Sequence, residues 1–149
     1  FAIINNIAHI EKAVQSAPLL KFKINKNAKI GANEAFVLPP ANGNEFIRVF
    51  CHVAETDPIP ENGREIFDFE KGNIHYAGYQ FNLNPNHPFA DIISLRKICD
   101  RSYFPQNDLP GKGDRFNDVV FPGGTGGIDG TQFYAGVEDA RVGVLDLKI

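Results

Sequence analysis

The strongest constraint on the fold is a succession of short runs rich in strand-forming residues, separated by Pro, Gly and Asn. The runs occupy most of the chain and read LLKFKI, EAFVL, EFIRVFCHV, REIFDF, IHYAGYQFNL, DVVF, TQFYAGV and RVGVLDL. Aromatic and β-branched residues fit a pleated surface, whereas Pro, Gly and Asn favour turns. The sequence therefore predicts that most of the protein is antiparallel β-sheet.

Two segments instead show the spacing of an amphipathic helix. Near the N-terminus, apolar residues recur at three to four positions, behind a capping Asn5 or Asn6 and ahead of Pro18: Ile3, Ile7, Ile10 and Val14. The segment FADIISLRKIC, residues 89–99, shows similar spacing and predicts a second short helix. With 149 residues that are 43% hydrophobic, the chain suits one domain, residues 1–149. The expected fold class is α+β, an N-terminal helix packed on a twisted antiparallel sheet.

Glycine marks two features of the predicted sheet. Within IHYAGYQFNL the alternation of apolar and polar residues changes phase at Gly78, as a β-bulge would produce. The loop GGTGGIDG, residues 123–130, has the glycines of a phosphate cradle but lacks the Lys-Ser/Thr that follows in a P-loop. A hairpin connection is the preferred interpretation of this loop.

Composition narrows the cellular setting. The sequence contains no Met and begins at Phe1, which favours removal of a signal or pro-segment and hence secretion. No apolar stretch approaches the roughly 20 residues of a membrane span, and the net charge of −3 does not favour a packaging protein for nucleic acid. A soluble monomer is expected.

Two pairs of residues each allow two interpretations, one pair of cysteines and one His-Asp pair. Cys51 and Cys99 either form a disulfide, which would stabilise the fold by roughly 4 kcal/mol, or are two buried free thiols. His87 and Asp91 could present two ligands to a divalent ion, but a turn and a helix cap explain both residues equally well. No metal or other cofactor is expected.

The C-terminal third resembles the microbial ribonucleases, the superfamily that includes the fungal guanyl-specific enzymes, the ribotoxins and the barnase-like bacterial enzymes. The segments PGKGDRFNDVVF and FYAGV are similar to two consecutive strands of the fungal branch, and LPGK at residues 109–112 is similar to a turn of the bacterial branch. Upstream, GREIFDF and HYAGYQFNL are similar to the aromatic segments of that superfamily. The resemblance implies a single ribonuclease-like domain, and RNA or the ribosome as its partner.

The same resemblance implies roles for individual residues. Arg115 would neutralise the scissile phosphate, because a guanidinium can bind two phosphoryl oxygens at once. The position of the catalytic base holds Gln80, whose amide takes no proton and is expected only to contact substrate. The residues that lead to the catalytic acid are replaced by Glu138 and Asp139.

These departures leave two interpretations. Either the acid and base have moved, with His52, His75, Glu138 and Asp139 as candidates, or the fold is kept for binding by a catalytically inactive effector. The favoured function is endonucleolytic cleavage of RNA. The more specific form of this prediction is a ribotoxin-like enzyme that cuts ribosomal RNA. Bases would stack on aromatic residues such as Tyr79 and Tyr134, and the backbone would follow a basic run that includes Lys21 and Lys23. A glycan-binding β-domain is a third class, supported by the aromatic residues and the expected secretion.

Overall fold

A computed structural model describes residues 6–16, 24–37, 46–84, 94–105, 116–126, 131–138 and 141–147. One short helix, α1 (Ile10–Ser16), follows a 3₁₀ turn at Ile7–His9, and a second 3₁₀ turn spans Arg101–Tyr103. The other regular elements of the described ranges are nine strands: β1 (Ala28–Val37), β2 (Ile47–Thr56), β3 (Ile59–Glu61), β4 (Arg64–Ile66), β5 (Ile74–Leu83), β6 (Ser94–Cys99), β7 (Phe116–Gly126), β8 (Gln132–Val137) and β9 (Arg141–Asp146).

Seven of these strands form one mixed sheet in the order β1-β2-β5-β7-β8-β9, with β6 also paired to β5. The contact between β5 and β7 is parallel, and the other pairings in the sheet are antiparallel. Strands β3 and β4 form a separate hairpin around Asn62 and Gly63. Both of these turn residues have positive φ, as the two-residue type I′ turn of a hairpin requires.

The predicted fold class, a helix packed on an antiparallel sheet, is wrong, because the protein is mostly β and its sheet is mixed. The N-terminal helix does form, and the side chain of Asn6 caps the 3₁₀ turn that precedes it by accepting a hydrogen bond from the N–H of Ala8 at 3.0 Å. Its apolar residues Ile7 and Val14 are nevertheless 82% and 64% exposed. Apolar spacing specifies a local helix, but it does not specify which surface that helix packs against.

The second predicted helix is also wrong over its described part. Residues Ser94–Cys99 form strand β6, and residues 89–93 lie outside the described ranges. The residues Leu95 and Arg96 pair with Phe81 and Gln80 of β5. A short run with ambiguous spacing takes its conformation from the strand beside it, since pairing satisfies its backbone groups.

The sheet carries a hydrophobic cluster on each face. Alternate residues of β2 project to opposite sides, so Val49, Cys51 and Val53 lie in one cluster and Phe50 lies in the other. The first cluster is completed by Phe81 and Leu83, and the second by Cys99, Phe104, Val120, Phe133, Ala135 and Val137. Burial on both faces explains why β2 reads as an almost continuous apolar run.

The two cysteines are buried free thiols. Cys51 belongs to the cluster on one face of the sheet, and Cys99 belongs to the cluster on the other. Of the two alternatives left open by the sequence, the structure has two buried free thiols and no disulfide between Cys51 and Cys99. Burial raises the pKa of the Cys99 thiol to about 12, so this side chain is neutral at physiological pH.

The predicted irregularity at Gly78 is present, although the additional residue lies in the partner strand. The pairing of β5 with β6 passes from Gly78 opposite Cys99 to Tyr79 opposite Lys97, which leaves Ile98 as the inserted residue. A Cβ atom on Gly78 would lie 2.7 Å from the sulfur of Cys99, so the close approach of the two strands requires glycine. The phase change in the sequence thus marked a contact with β6.

Candidate functional site

The candidate site is an open cleft where the sheet divides. The outer edge of β5 pairs with β7 at Ile74 and Tyr76, and with β6 from Gly78 onward. We call the space between the end of β6 and the start of β7 the fork cleft. Its volume is about 330 Å³, and most of the residues that line it are of polar or charged type: Glu55, His75, Tyr76, Ala77, Lys97, Asp100, Arg101, Ser102 and Asp118.

Local backbone features place two of the lining carboxylates. Asp118 lies where the register between β5 and β7 shifts, and it has a left-handed φ of 59°. Asp100 caps the 3₁₀ turn by accepting the backbone N–H of Ser102 at 3.0 Å and its hydroxyl at 2.6 Å. The end of β6 and the start of β7 therefore both present an acidic side chain to the fork cleft.

Glu55 lies at the centre of the first polar group. Its carboxylate accepts the hydroxyl of Tyr79 at 2.5 Å and the ammonium of Lys97 at 2.8 Å. Partial burial by itself would raise the pKa of Glu55, but these two hydrogen bonds outweigh it and hold the pKa below its ordinary value. Burial and the neighbouring carboxylate raise the pKa of Tyr79. Glu55 is consequently an ionised acceptor with a fixed orientation.

His75 lies between two carboxylates. Its Nε2 is 3.0 Å from Asp57, and its Nδ1 is 3.1 Å from Asp118. Ionised carboxylates only accept hydrogen bonds, so both contacts are satisfied at once when the ring is protonated. Partial burial lowers the pKa of His75, but the bonds to Asp57 and Asp118 outweigh it and raise the pKa above its ordinary value. We call this arrangement the histidine clamp, since it joins β5 to the end of β2 and to β7.

A third polar group closes the inner side of the cleft. The buried guanidinium of Arg101 donates to Glu138 at 2.6 Å and to the carbonyl of Phe104 at 2.7 Å. The other oxygen of Glu138 accepts from Arg141 at 2.8 Å. Hydrogen bonds from the two arginines hold the pKa of Glu138 below its ordinary value. Glu138 thereby connects the end of β8 to the 3₁₀ turn.

Three of the residues predicted from the sequence lie in or beside the fork cleft. His75 lines it, Tyr79 donates to Glu55 behind it, and Glu138 binds Arg101 in its wall. His75 and Glu138, two of the candidates for a relocated acid and base, are thus both connected to this cleft, Glu138 only through Arg101. Each of them is, however, bonded to groups of opposite charge.

Three other predicted residues do not line the fork cleft. His52 packs edge-on against Tyr76 and Phe121, with ring centroids 5.7 and 4.8 Å away. Gln80 is buried and bonds to Asn82 and Arg96, whereas Tyr134 bonds to Gln132 within its own strand. The remaining predicted site residues lie outside the described ranges: Lys21, Lys23, Arg115 and Asp139.

Sequence reasoning missed most of the cleft. Glu55, Lys97 and Arg101 come from segments that look like ordinary strand ends, and the opposed positions of Glu55 and His75 follow only from the register of β2 and β5. Asp118 lies within the segment PGKGDRFNDVVF, in which the sequence predicts a site role for Arg115 and none for Asp118. A charged residue at the end of an otherwise apolar strand was the available signal.

The described residues contain neither a metal-binding cluster nor a membrane-spanning helix. No group of three or more His, Cys, Asp or Glu side chains within them is placed to hold a metal ion. The pair His87 and Asp91, considered from the sequence as possible ligands, lies in a segment outside those ranges. In the part of the chain that the structure describes, no helix is long and apolar enough to cross a membrane.

Comparison with known proteins places the chain in a family. No curated protein matched the sequence. A family model described as a protein of unknown function, DUF1861, matches residues 1–149. This match contains nothing that links the chain to ribonucleases or ribotoxins. Because the match covers every residue of the printed sequence, the chain belongs to the DUF1861 family.

Proposed function

We propose that the fork cleft binds a neutral, hydroxyl-rich ligand of the saccharide class. The volume of about 330 Å³ lies at the lower end of the roughly 300–1,000 Å³ typical of small-molecule sites. Carboxylates at Glu55 and Asp118 can accept hydrogen bonds from hydroxyl groups, and the ammonium of Lys97 can donate a hydrogen bond to a hydroxyl oxygen. A sugar ring offers both kinds of hydroxyl contact around its edge.

Charge compensation is the observation that carries this proposal. Among the described lining residues each cation already contacts a carboxylate: Lys97 contacts Glu55, His75 contacts Asp118, and Arg101 contacts Glu138. A phosphate group entering the cleft would meet these carboxylates as well as the cations, and like charges repel. A neutral ligand avoids that repulsion and still uses the hydrogen-bonding groups.

Glu55 is the residue expected to matter most for binding. Its side chain is 25% exposed and is held in place by Tyr79 and Lys97. A fixed, ionised acceptor loses little conformational entropy when a hydroxyl binds to it. The lowered pKa of Glu55 suits an acceptor rather than a proton donor, so the proposal concerns binding and includes no hydrolytic step.

Calorimetric titration tests this proposal. The purified protein is titrated with glucose, galactose, mannose, N-acetylglucosamine and their common disaccharides, and separately with inorganic phosphate. We expect at least one neutral sugar to bind, and Glu55→Gln to weaken that binding about 30-fold, since a hydrogen bond to a charged group contributes about 2 kcal/mol. The matched control is Glu65→Gln, at an exposed site on β4. Binding of phosphate but of no sugar would contradict the proposal.

Cleavage of RNA is the second candidate, favoured by one observation. His75, Glu55 and two long cations, Lys97 and Arg101, line a single cleft, and a ribonuclease needs a proton donor, a proton acceptor and positive charge at its phosphate. This candidate function includes two expectations from the sequence, namely RNA or the ribosome as the partner and secretion of the protein. Incubation with intact ribosomes and naked RNA tests it, with His75→Asn as the variant that should abolish a discrete fragment.

A further inference from the structure

A second cavity adjoins the fork cleft and was not anticipated from the sequence. Its volume is about 240 Å³, and its lining comes from β6, from the second 3₁₀ turn and from the end of β9. Its lining residues include Arg96, Lys97, Tyr103, Leu145, Asp146 and Leu147. We call this space the side cavity.

The two cavities share a wall. Lys97 lines both of them, and the consecutive residues Ser102 and Tyr103 line the fork cleft and the side cavity respectively. The ammonium of Lys97 is bound to Glu55 on the cleft side, so its position is fixed by a contact of 2.8 Å. Lys97 therefore lies at the boundary between the two spaces, and a ligand that occupied both would pass this side chain.

The chemistry of the side cavity differs from that of the fork cleft. Tyr103 is 60% exposed, although the turn that carries it is capped by Asp100 and closed by the N–H of Phe104. Leu145 and Leu147 add apolar surface, whereas Asp146 and Arg96 add polar groups. An exposed aromatic ring beside a few polar groups suits the apolar face and the hydroxyl edge of a sugar ring.

From this shared boundary and the exposed Tyr103 we infer that the side cavity is a second subsite, so that the ligand is an oligosaccharide of at least two units. Tyr103 covers the apolar face of the distal unit, while the fork cleft binds the first unit. The inference rests on the proposed function, since it assumes a saccharide in the fork cleft. It makes Tyr103 a residue that determines specificity for ligand length.

A chain-length series tests the inference. The protein is titrated with the mono-, di-, tri- and tetrasaccharide of the neutral sugar that binds best, and with a four-residue oligoribonucleotide. We expect the affinity to rise about tenfold from one unit to two, as covering one ring face would give. Tyr103→Ala should remove that gain without weakening monosaccharide binding, whereas Tyr103→Phe should retain it. Phe67→Ala, at a ring that is 42% exposed elsewhere, is the matched control.

The outcomes separate the two proposals. If the monosaccharide binds and affinity is independent of length, or if Tyr103→Ala keeps the gain, the second subsite is wrong and the proposed function stands. If no saccharide binds, both are wrong, and binding of the oligoribonucleotide would point to the RNA candidate instead. Thermal unfolding of each variant, followed by circular dichroism, checks that its fold is intact.

Discussion

Removal of the Glu138 carboxylate should destabilise the protein, because it would leave buried positive charge without a partner. Glu138 binds Arg101 at 2.6 Å and Arg141 at 2.8 Å, and the Arg101 side chain is only 7% exposed. Breaking a buried ion pair typically costs about 3–5 kcal/mol. Arg101 would keep its bond to the carbonyl of Phe104, and Glu138 is itself 19% exposed, so the lower end of that range applies. We expect Glu138→Gln to lose about 3 kcal/mol.

The backbone at Glu138 adds a second, opposing effect. Its φ is 53°, a left-handed conformation that costs a residue with a Cβ atom about 1 kcal/mol and costs glycine almost nothing. Glu138→Gly should therefore be about 1 kcal/mol more stable than Glu138→Ala, although both lack the carboxylate. At an ordinary solvent-exposed loop residue, we would not expect both a large loss of stability in the two variants and a glycine variant more stable than the alanine variant.

Thermal unfolding at pH 7, followed by circular dichroism, measures both effects. For a domain of this size a loss of about 3 kcal/mol lowers Tm by roughly 6–12 °C. Glu65→Gln is again the control and should leave Tm unchanged. The lowered pKa of Glu138 means that its contribution is present above the carboxyl's ordinary pKa and is lost as pH falls. The parent and Glu138→Gln should therefore converge in acid. A Tm for Glu138→Gln within about 1 °C of the parent at pH 7 would refute the reasoning.

Three further predictions concern the sheet. The pKa of His75 is raised above its ordinary 6.5, so the contribution of His75 to the free energy of unfolding should be fully present below pH 6.5 and should be lost as pH rises through the folded pKa. His75→Asn should flatten that pH profile in urea unfolding, and an unchanged slope would contradict the histidine clamp. Gly78→Ala should lower the free energy of unfolding by about 1–3 kcal/mol, because the new methyl group would contact the sulfur of Cys99. Gly63→Ala is the comparison: its turn is open but has a positive φ, so the expected loss is about 1 kcal/mol. Cys51 and Cys99 are free and buried, so a reductant should leave Tm unchanged, and thiol reagents should react with them only when the protein unfolds. A drop in Tm with reductant would indicate a disulfide.

The ribonuclease resemblance remains a prediction. Its segments DVVF and FYAGV do lie in neighbouring antiparallel strands, β7 and β8, but such a pair occurs in many β-proteins. Arg115, the residue on which the resemblance most depends, lies outside the described ranges. Cleavage assays therefore decide this function, and the strand pairing alone does not.

The strands, the N-terminal helix and the irregularity at Gly78 could be predicted from the sequence, because each depends on residues that are neighbours in the chain. Strand-forming runs predicted most of the sheet, including β2, β5 and β8. The Asn and the three-to-four apolar spacing near the N-terminus predicted a helix that does form, and the phase change marked Gly78. Each of these follows from the conformational preferences of a few consecutive residues.

The tertiary structure alone decided the mixed sheet, the exposed face of the helix and the fork cleft. Strand order and register are set by pairing between segments far apart in the chain, and a local pattern carries no information on which strand lies beside which. Glu55 faces His75, and Asp118 reaches His75 from 43 positions away, only because β2 and β7 flank the same strand. The candidate site consists of such contacts, so the sequence by itself determined the strands and the tertiary structure determined the site.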